Sequence, residues 1–416
     1  MYYVNEHIVR YLLNEYKGSE RKDTVLLDDG YKYMIKMPDP VREEDRKEYL
    51  SYINNAYSEY IGCHIASLMG FSVQETILGK YNTTNRDGKN VEKIVCLCRD
   101  VREKNENMRE LDVISLSSED NSDVITFKKE EMIFDHIEKR LCLSKKEVQE
   151  IKDFYYDLFI FDAFVGNTDR HNGNIAILLN TDGYFSRISP IYDCGSCLLP
   201  LSSDEELPSL SINSMALSIN SVICDENGKR IRYGDFLINN NDPSIDKALK
   251  KEICKINMKE IYEMIDKSDY ISDVRKSFYK QILQLRYEKI LIPALEKSFS
   301  LVSEEISDQI NLYQIYIDNI KQIKNMEEFT KNKIKNTDIE IMRINKKYAL
   351  CMKDDKCIGL LPIRSNNDAV RNAATYLKSI GIDITKDKLI LEYNKENNSK
   401  QENLNDKQET EYEIDI

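Results

Sequence analysis

The stretch from Phe161 to Pro200 constrains this chain more than any other. It reads FDAFVGNTDRHNGNI as far as Ile175, passes through an apolar run and a turn, and closes on PIYDCGS from Pro190 to Ser196. Asp169 and Asn174 stand in D-x-x-x-x-N order, and Asp193-Cys-Gly195 follows as D-x-G. Between them, Ile175 to Leu179 predicts a short strand, Asn180 to Gly183 a turn, and Tyr184 to Ile188 the returning strand. Such a hairpin carries Asn174 and Asp193 to one place. Phosphoryl transfer from ATP needs one carboxylate beside the attacking hydroxyl, and a second that holds Mg²⁺ with help from an amide oxygen. Asp169 fits the first role, Asp193 and Asn174 the second. The pattern therefore predicts an ATP-dependent kinase.

Taken singly, these residues have plainer readings. An Asp after Gly-Asn-Thr serves equally as a turn or cap residue, because its side chain bonds local amides. D-x-G alone is a common turn. His171 reads as structural, since this chemistry needs no imidazole there. Order and the intervening hairpin favour the site.

The chain has 416 residues, 41% of them hydrophobic, enough for two or three domains with their own cores. A formal net charge of −13 argues against a free-standing nucleic-acid binder, so no direct nucleic-acid contact is expected. No apolar run is long enough to span a bilayer, and the first residues lack a basic-then-apolar signal. Ten cysteines are scattered without a disulfide-like framework, which predicts a reducing, cytoplasmic setting and no membrane. Cys194-x-x-Cys197 has no second close pair to complete a zinc site.

In chain order, residues 1–17 predict a short amphipathic start with Ile8, Tyr11 and Leu12 on one helical face. Gly18-Ser19-Glu-Arg-Lys22 is a turn leading into a strand. Asp28-Asp-Gly30 turns the chain back, and Tyr31 to Lys36 returns as a second strand. This is how kinases cover ATP phosphates, although G-x-G-x-x-G is missing. Lys36 reads either as a solvated strand lysine or as the lysine that contacts phosphates; the second needs a carboxylate on a nearby helix. Tyr49 to Met69 predicts that helix, with Ile53, Tyr57, Ile61, Ile65 and Leu68 on one face and Gly70 at its end. Glu59 lies beside the apolar stripe and is the expected partner. Phe71 to Tyr81 and Val91 to Arg99 predict further strands, the second bordering the adenine at Cys96, Leu97 and Cys98.

Residues 102–127 predict a mobile polar loop. Helical periodicity begins at Met132, and Ser144 to Phe164 carries a strong apolar stripe, Asp162 excepted, that Gly166 ends. Residues 200–213 read as irregular, and helices dominate from about Ile245 to Glu328. Short strands near Ile339, Tyr348, Cys357 and Lys388, with a helix from Asp368 to Ile380, form a separate small module. The expected fold class is α+β: a bilobal protein-kinase-like fold with a small β-rich N-lobe (1–103), an α-rich C-lobe (104–329), an accessory α+β module (330–392) and a disordered tail (393–416).

With these residues in place, the chain resembles the HipA-like serine/threonine protein kinases of bacteria. The likeness rests on VGNTDRHNGN from Val165 to Asn174 and on SPIYD from Ser189 to Asp193, against a family pattern I-G-x-x-D-x-H-x-x-N followed by P-x-Y-D-x-x-S. It extends to Gly18 through Lys22, Ile35 through Pro38, Asn55 through Tyr60, and Met215 through Asn220, covering about residues 18–300. The resemblance implies Lys36 as the ATP lysine, Glu59 as its partner, Asp169 as catalytic base, and Asn174 and Asp193 as metal ligands. It also implies nucleotide contacts around Gly18, Ser19 and Lys22, a protein substrate, autophosphorylation with Ser19 as the serine to ask about, and a toxin–antitoxin setting with an antitoxin partner. Only 17 residues precede Gly18, so the likeness is to shorter members without the N-terminal β-rich subdomain. The module at 330–392 lies outside the family pattern.

Two other readings stay open. The loop is also similar to that of phosphoinositide kinases, but those need a basic surface for anionic lipid, and Asp204-Glu-Glu206 follows the metal turn here. A nucleotide-binding module without catalysis is the third. All polar catalytic positions are nonetheless filled.

Overall fold

A computed structural model describes residues 2–13, 22–38, 54–84, 88–115 and 125–299, together with short strands between 331 and 411. The chain divides into two compact units, Met1–Ser298 and Phe299–Ile416.

The first unit begins with a single helical turn, α1 (Val4–His7), then β1 (Ile8–Leu12), β2 (Lys22–Leu27) and β3 (Lys32–Lys36). The β2–β3 turn forms because Gly30 takes φ +84°, which is costly for any residue with a Cβ. Asp29 closes it, accepting from Tyr31 N at 2.9 Å and from Tyr33 Oη at 2.8 Å. Helix α2 (Asn55–Leu68) follows, stopped at Gly70 with φ +79°, and then β4 (Thr76–Thr84) and β5 (Asn90–Arg99). The five strands pair in the order β1-β2-β3-β5-β4. One face of this sheet buries Val25, Leu27, Tyr33, Ile35, Val95 and Leu97 around Val4. Because strand side chains alternate, Lys36, Cys96 and Cys98 point to the other face, towards α2.

Strand β6 (Asn107–Glu110) and α3 (Leu111–Ser115) lead to α4 (Phe127–Leu141) and α5 (Lys145–Val165). Helix α5 starts on a capping box: Ser144 Oγ accepts from Glu147 N at 3.3 Å, and Ser144 N donates to Glu147 Oε2 at 2.7 Å. It ends at Gly166, φ +66°, where a Cβ would fall 2.4 Å from the Arg286 guanidinium. Phe159, Phe161 and Phe164 are fully buried along α5, each stabilising the core by about 1.5–3 kcal/mol. Strands β7 (Ala176–Leu179) and β8 (Phe185–Ile188) form the hairpin between the two motifs, in the sheet β6-β7-β8.

The remainder is mostly helical: α6 (Ile212–Leu217), the hairpin β9 (Asn220–Cys224) and β10 (Arg230–Arg232), then α7 (Tyr233–Asn239), α8 (Pro243–Ile253), α9 (Met258–Lys267), α10 (Asp273–Arg286) and α11 (Ile292–Phe299). The second unit has six strands, β11 (Lys331–Ile334), β12 (Ile339–Arg343), β13 (Tyr348–Lys353), β14 (Lys356–Pro362), β15 (Ile390–Tyr393) and β16 (Glu409–Glu411), in the order β14-β13-β12-β11-β15-β16. The helix expected from Asp368 to Ile380 lies outside the described residues. No helix among the described residues is long and apolar enough to cross a membrane.

Two local expectations are corrected. Ile8, Tyr11 and Leu12 do not share a helical face, because Ile8–Leu12 is a strand whose backbone pairs with β2 from Ile8↔Leu27 to Leu12↔Thr24. A ladder outweighs a short helical period that had no partner to bury it. Within 102–127, Asn107–Glu110 is a strand: Arg109 sits across from Ile177, and the polar side chains conceal a backbone bonded to the hairpin. In 393–416, Glu409–Glu411 pairs with β15, and 394–408 and 412–416 lie outside the described residues.

Candidate active site

Lys36 is the last residue of β3, placed on the α2 face of the sheet by alternation, and is 4% exposed. Glu59, in the second turn of α2, is fully buried. Lys36 Nζ donates to Glu59 Oε2 at 2.7 Å and to Asp193 Oδ1 at 2.6 Å, so one ammonium joins the sheet, the helix and the D-x-G turn. Burial pushes the Glu59 carboxyl upward, and the ammonium opposes that shift. Burial also works against charge on Asp193, but Lys36 overcomes it and holds that carboxyl below its ordinary value. Lys22, across the ladder from Lys36, adds positive charge near Asp193. The Asp193 side chain stays 45% exposed.

Asp193 has φ +56°, a left-handed conformation that Asp tolerates better than most residues. Gly195 passes close to α2: a Cβ there would lie 3.3 Å from Glu59 Oε2. From the helix side, Gly62 allows the approach, since a Cβ on it would meet Cys194 Cβ at 2.8 Å.

The loop after α5 is fixed from within. Asn167 Oδ1 accepts from Asp169 N at 3.0 Å, and Asn174 Nδ2 donates to Asp169 O at 2.9 Å. A carbonyl cannot donate, so the amide nitrogen of Asn174, not its oxygen, faces the Asp169 carbonyl. His171 Nδ1 accepts from Gly173 N at 3.1 Å, a capping role. Asn172 Nδ2 donates to buried Glu130 Oε1 of α4 at 2.9 Å. Burial raises the Asp169 carboxyl; Asp193 adds to this while His171 and Arg230 oppose it, so the charges of Asp169 and Asp193 feel one another.

The structure thus brings together Lys36, Glu59, Asp193, Asp169, Asn174 and Lys22. Gly18 and Ser19 lie outside the described residues. Cys96 and Cys98 sit in β5 between β3 and β4, with Cys96 opposite both Lys36 and Leu78, and their thiols are fully buried.

The sequence reading gave no role to Asp162, Asn167, Arg170, Tyr192 or Gly62. One signal was present: Asp162 interrupts an otherwise apolar helix face, and such a residue needs a buried cation. Arg170 is that cation, Nε to Oδ2 3.1 Å, with the two side chains 5% and 1% exposed.

A strand lysine paired to a helix glutamate, a loop aspartate and asparagine, and a D-x-G aspartate after a hairpin define a protein-kinase-like phosphotransferase site on an α+β bilobal fold. The sequence is 31% identical over 307 residues to the serine/threonine-protein kinase CtkA of Helicobacter pylori, covering 72% of this chain and 88% of the relative. The crystal structure of that proinflammatory kinase superposes with a TM-score of 0.56 at 28% identity, over 67% of this chain and 94% of the other. HipA of Shewanella oneidensis, solved with HipB and operator DNA, gives 0.40 at 13% identity over 70% of each chain, too distant to bear on activity. No family model matches. The chain belongs to the CtkA family of serine/threonine protein kinases.

Proposed function

We propose that this kinase transfers the γ-phosphate of ATP to a serine or threonine hydroxyl of a protein, with Asp169, Asn174, Asp193 and Lys36 as its working residues. The observation that carries the reading is the buried ammonium of Lys36, bonded at once to Glu59 and to the D-x-G aspartate. Asp169, raised by burial, orients the hydroxyl and accepts its proton. Lys36 offers its charge to the phosphates, and Glu59 keeps it aimed. The donor set fits a hard divalent cation, because an ionised carboxylate and an amide oxygen are the ligands such ions take. Asp193 and Asn174 would hold Mg²⁺, which when bound neutralises phosphate charge. On this reading residues 1–103 are the small lobe, 104–329 the large lobe, and 330–392 an accessory α+β module.

Finer parts of the proposal have support from the loop motifs alone: phosphorylation of Ser19 by the kinase itself, and a toxin–antitoxin setting with an antitoxin partner. A cytoplasmic setting is supported by the described cysteines, all free thiols.

The test is incubation of purified protein with γ-labelled ATP and Mg²⁺, beside Asp169→Ala, followed by mapping of labelled residues by mass spectrometry. Label on serine or threonine in the parent alone is the expected result. If neither self, lysate protein nor vesicle lipid is labelled while ATP binds tightly, the chain is a nucleotide-binding module and the proposal fails. Label confined to lipid would make it a lipid kinase.

A further inference from the structure

Two segments supply the metal ligands of the proposed site, the loop ending at Asn174 and the turn beginning at Tyr192. One guanidinium touches both. Arg170 Nη1 donates to Tyr192 O at 2.6 Å and to Asn174 O at 3.3 Å. Tyr192 immediately precedes Asp193, and Asn174 is itself the other ligand. We infer that Arg170 is a positioning residue that sets the separation of Asn174 and Asp193, and with it which divalent cation the site accepts.

The geometry around Arg170 suits a fixed spacer. Its Nε lies 3.1 Å from Asp162 Oδ2 and 3.4 Å from Oδ1, and its Nη2 reaches the same Oδ1 at 3.4 Å. Asp162 belongs to α5, so the guanidinium is referred to the rigid core rather than to either loop. Asn167 Nδ2 donates to Asp162 Oδ1 at 3.1 Å, and Tyr233 Oη holds Asn167 O at 2.9 Å. Nη2 also lies 3.6 Å from the buried Sγ of Cys194, the residue after Asp193. A second tie runs parallel: Tyr192 Oη donates to Gly173 O at 2.9 Å, again joining the turn to the loop. A planar fork with five donors can serve all these acceptors at once; a lysine ammonium, with three donors on one atom, cannot.

A spacer of this kind matters most for a cation with strict geometry. Mg²⁺ demands near-octahedral coordination at short distances, whereas Ca²⁺ accepts a wider and more flexible shell. Loosening the two ligands should therefore penalise Mg²⁺ more than Ca²⁺.

This inference rests on the kinase reading, and the experiment separates the two. Binding of a fluorescent ADP is measured with Mg²⁺, with Ca²⁺ and with EDTA, for the parent, Arg170→Lys and Tyr192→Phe, with melting temperatures alongside. Lysine keeps a positive charge against Asp162 but cannot span both carbonyls. The expected result is a loss of about tenfold or more in the affinity gain from Mg²⁺, the scale on which outer partners of metal ligands act, while the gain from Ca²⁺ and the metal-free affinity stay within about threefold. Tyr192→Phe, which removes one hydroxyl and leaves the core intact, should shift the same ratio in the same direction by a smaller factor. Equal loss in all three conditions, or a Mg²⁺ gain that stays parental, would overturn the inference. If Arg170→Lys does not fold, an unchanged ratio in Tyr192→Phe overturns it instead. A parent whose affinity ignores Mg²⁺ altogether overturns the kinase reading, and this inference with it.

Discussion

Lys36 Nζ of β3 and Glu59 Oε2 of α2 lie 2.7 Å apart, with the two side chains 5% and 0% exposed. A buried ion pair contributes little net stability, because desolvating both charges offsets most of their attraction. Its value here is placement, since the same ammonium also reaches Asp193.

Glu59→Gln tests that placement. The amide keeps the shape but gives up the charge that aims the ammonium. Transfer should fall about 100-fold, as when one preorganised electrostatic group is lost. Melting should change little, because Asp193 remains 2.6 Å from Lys36. Steady-state rates beside thermal melts check this, and a parental rate would remove Glu59 from the machinery.

Asp169 and Asp193 should separate by phenotype. Asp169→Ala is expected to bind ATP normally and lose transfer by about 10³-fold or more, the range for a general base. Asp193→Ala is expected to lose the gain in nucleotide affinity that Mg²⁺ provides. Calorimetric titration with and without the ion distinguishes them; identical behaviour would mean the roles are misassigned.

Two glycines should differ in the same direct way. In Gly62→Ala the new methyl meets a Cβ at 2.8 Å, and helix backbone cannot yield easily. Melting should drop even though Ala favours a helix by about 1 kcal/mol over Gly. In Gly195→Ala the contact is 3.3 Å from the Glu59 carboxylate. There melting should stay near parental while transfer falls. A stabilised Gly62→Ala would contradict the tight approach of turn and helix.

Glu130 predicts a pH dependence. Burial raises its carboxyl from 4.5 to about 7, opposed by the bond from Asn172. The folded state therefore holds this proton more tightly than the unfolded chain. Its contribution to stability is largest below the unfolded value, is lost as pH rises from about 4.5 to about 7, and stays lost above that. Glu130→Gln keeps an acceptor for Asn172 and abolishes the titration. At pH 8 the variant should be more stable than the parent by at most about 3 kcal/mol, with the difference gone near pH 4. Urea melts across that range measure it, and parallel curves would place the titration elsewhere.

Much of the fold was legible because its signals are local. The β2–β3 turn needs Gly30, α5 needs Ser144 and Glu147 at its start and Gly166 at its end, and each announces itself within a few residues. Asp169, Asn174 and Asp193 were legible as an ordered set. The strand at Ile8–Leu12 was not, because its periodicity is ambiguous over so few residues and its partner is β2. Nor was β6, whose polar side chains hide a paired backbone.

The sequence by itself determined the chemistry available, since residue type and order decide which groups can act as base, ligand or cation. Tertiary structure alone decided their aim. Asp162 and Arg170 are close in sequence, but that their buried pair also spans Asn174 and Tyr192 follows from how α5 packs beneath two separate turns. Gly62 against Cys194, and Glu59 against Gly195, are likewise contacts between distant segments. Such contacts arise from packing the whole chain at crystal-like density, a constraint that no local pattern records.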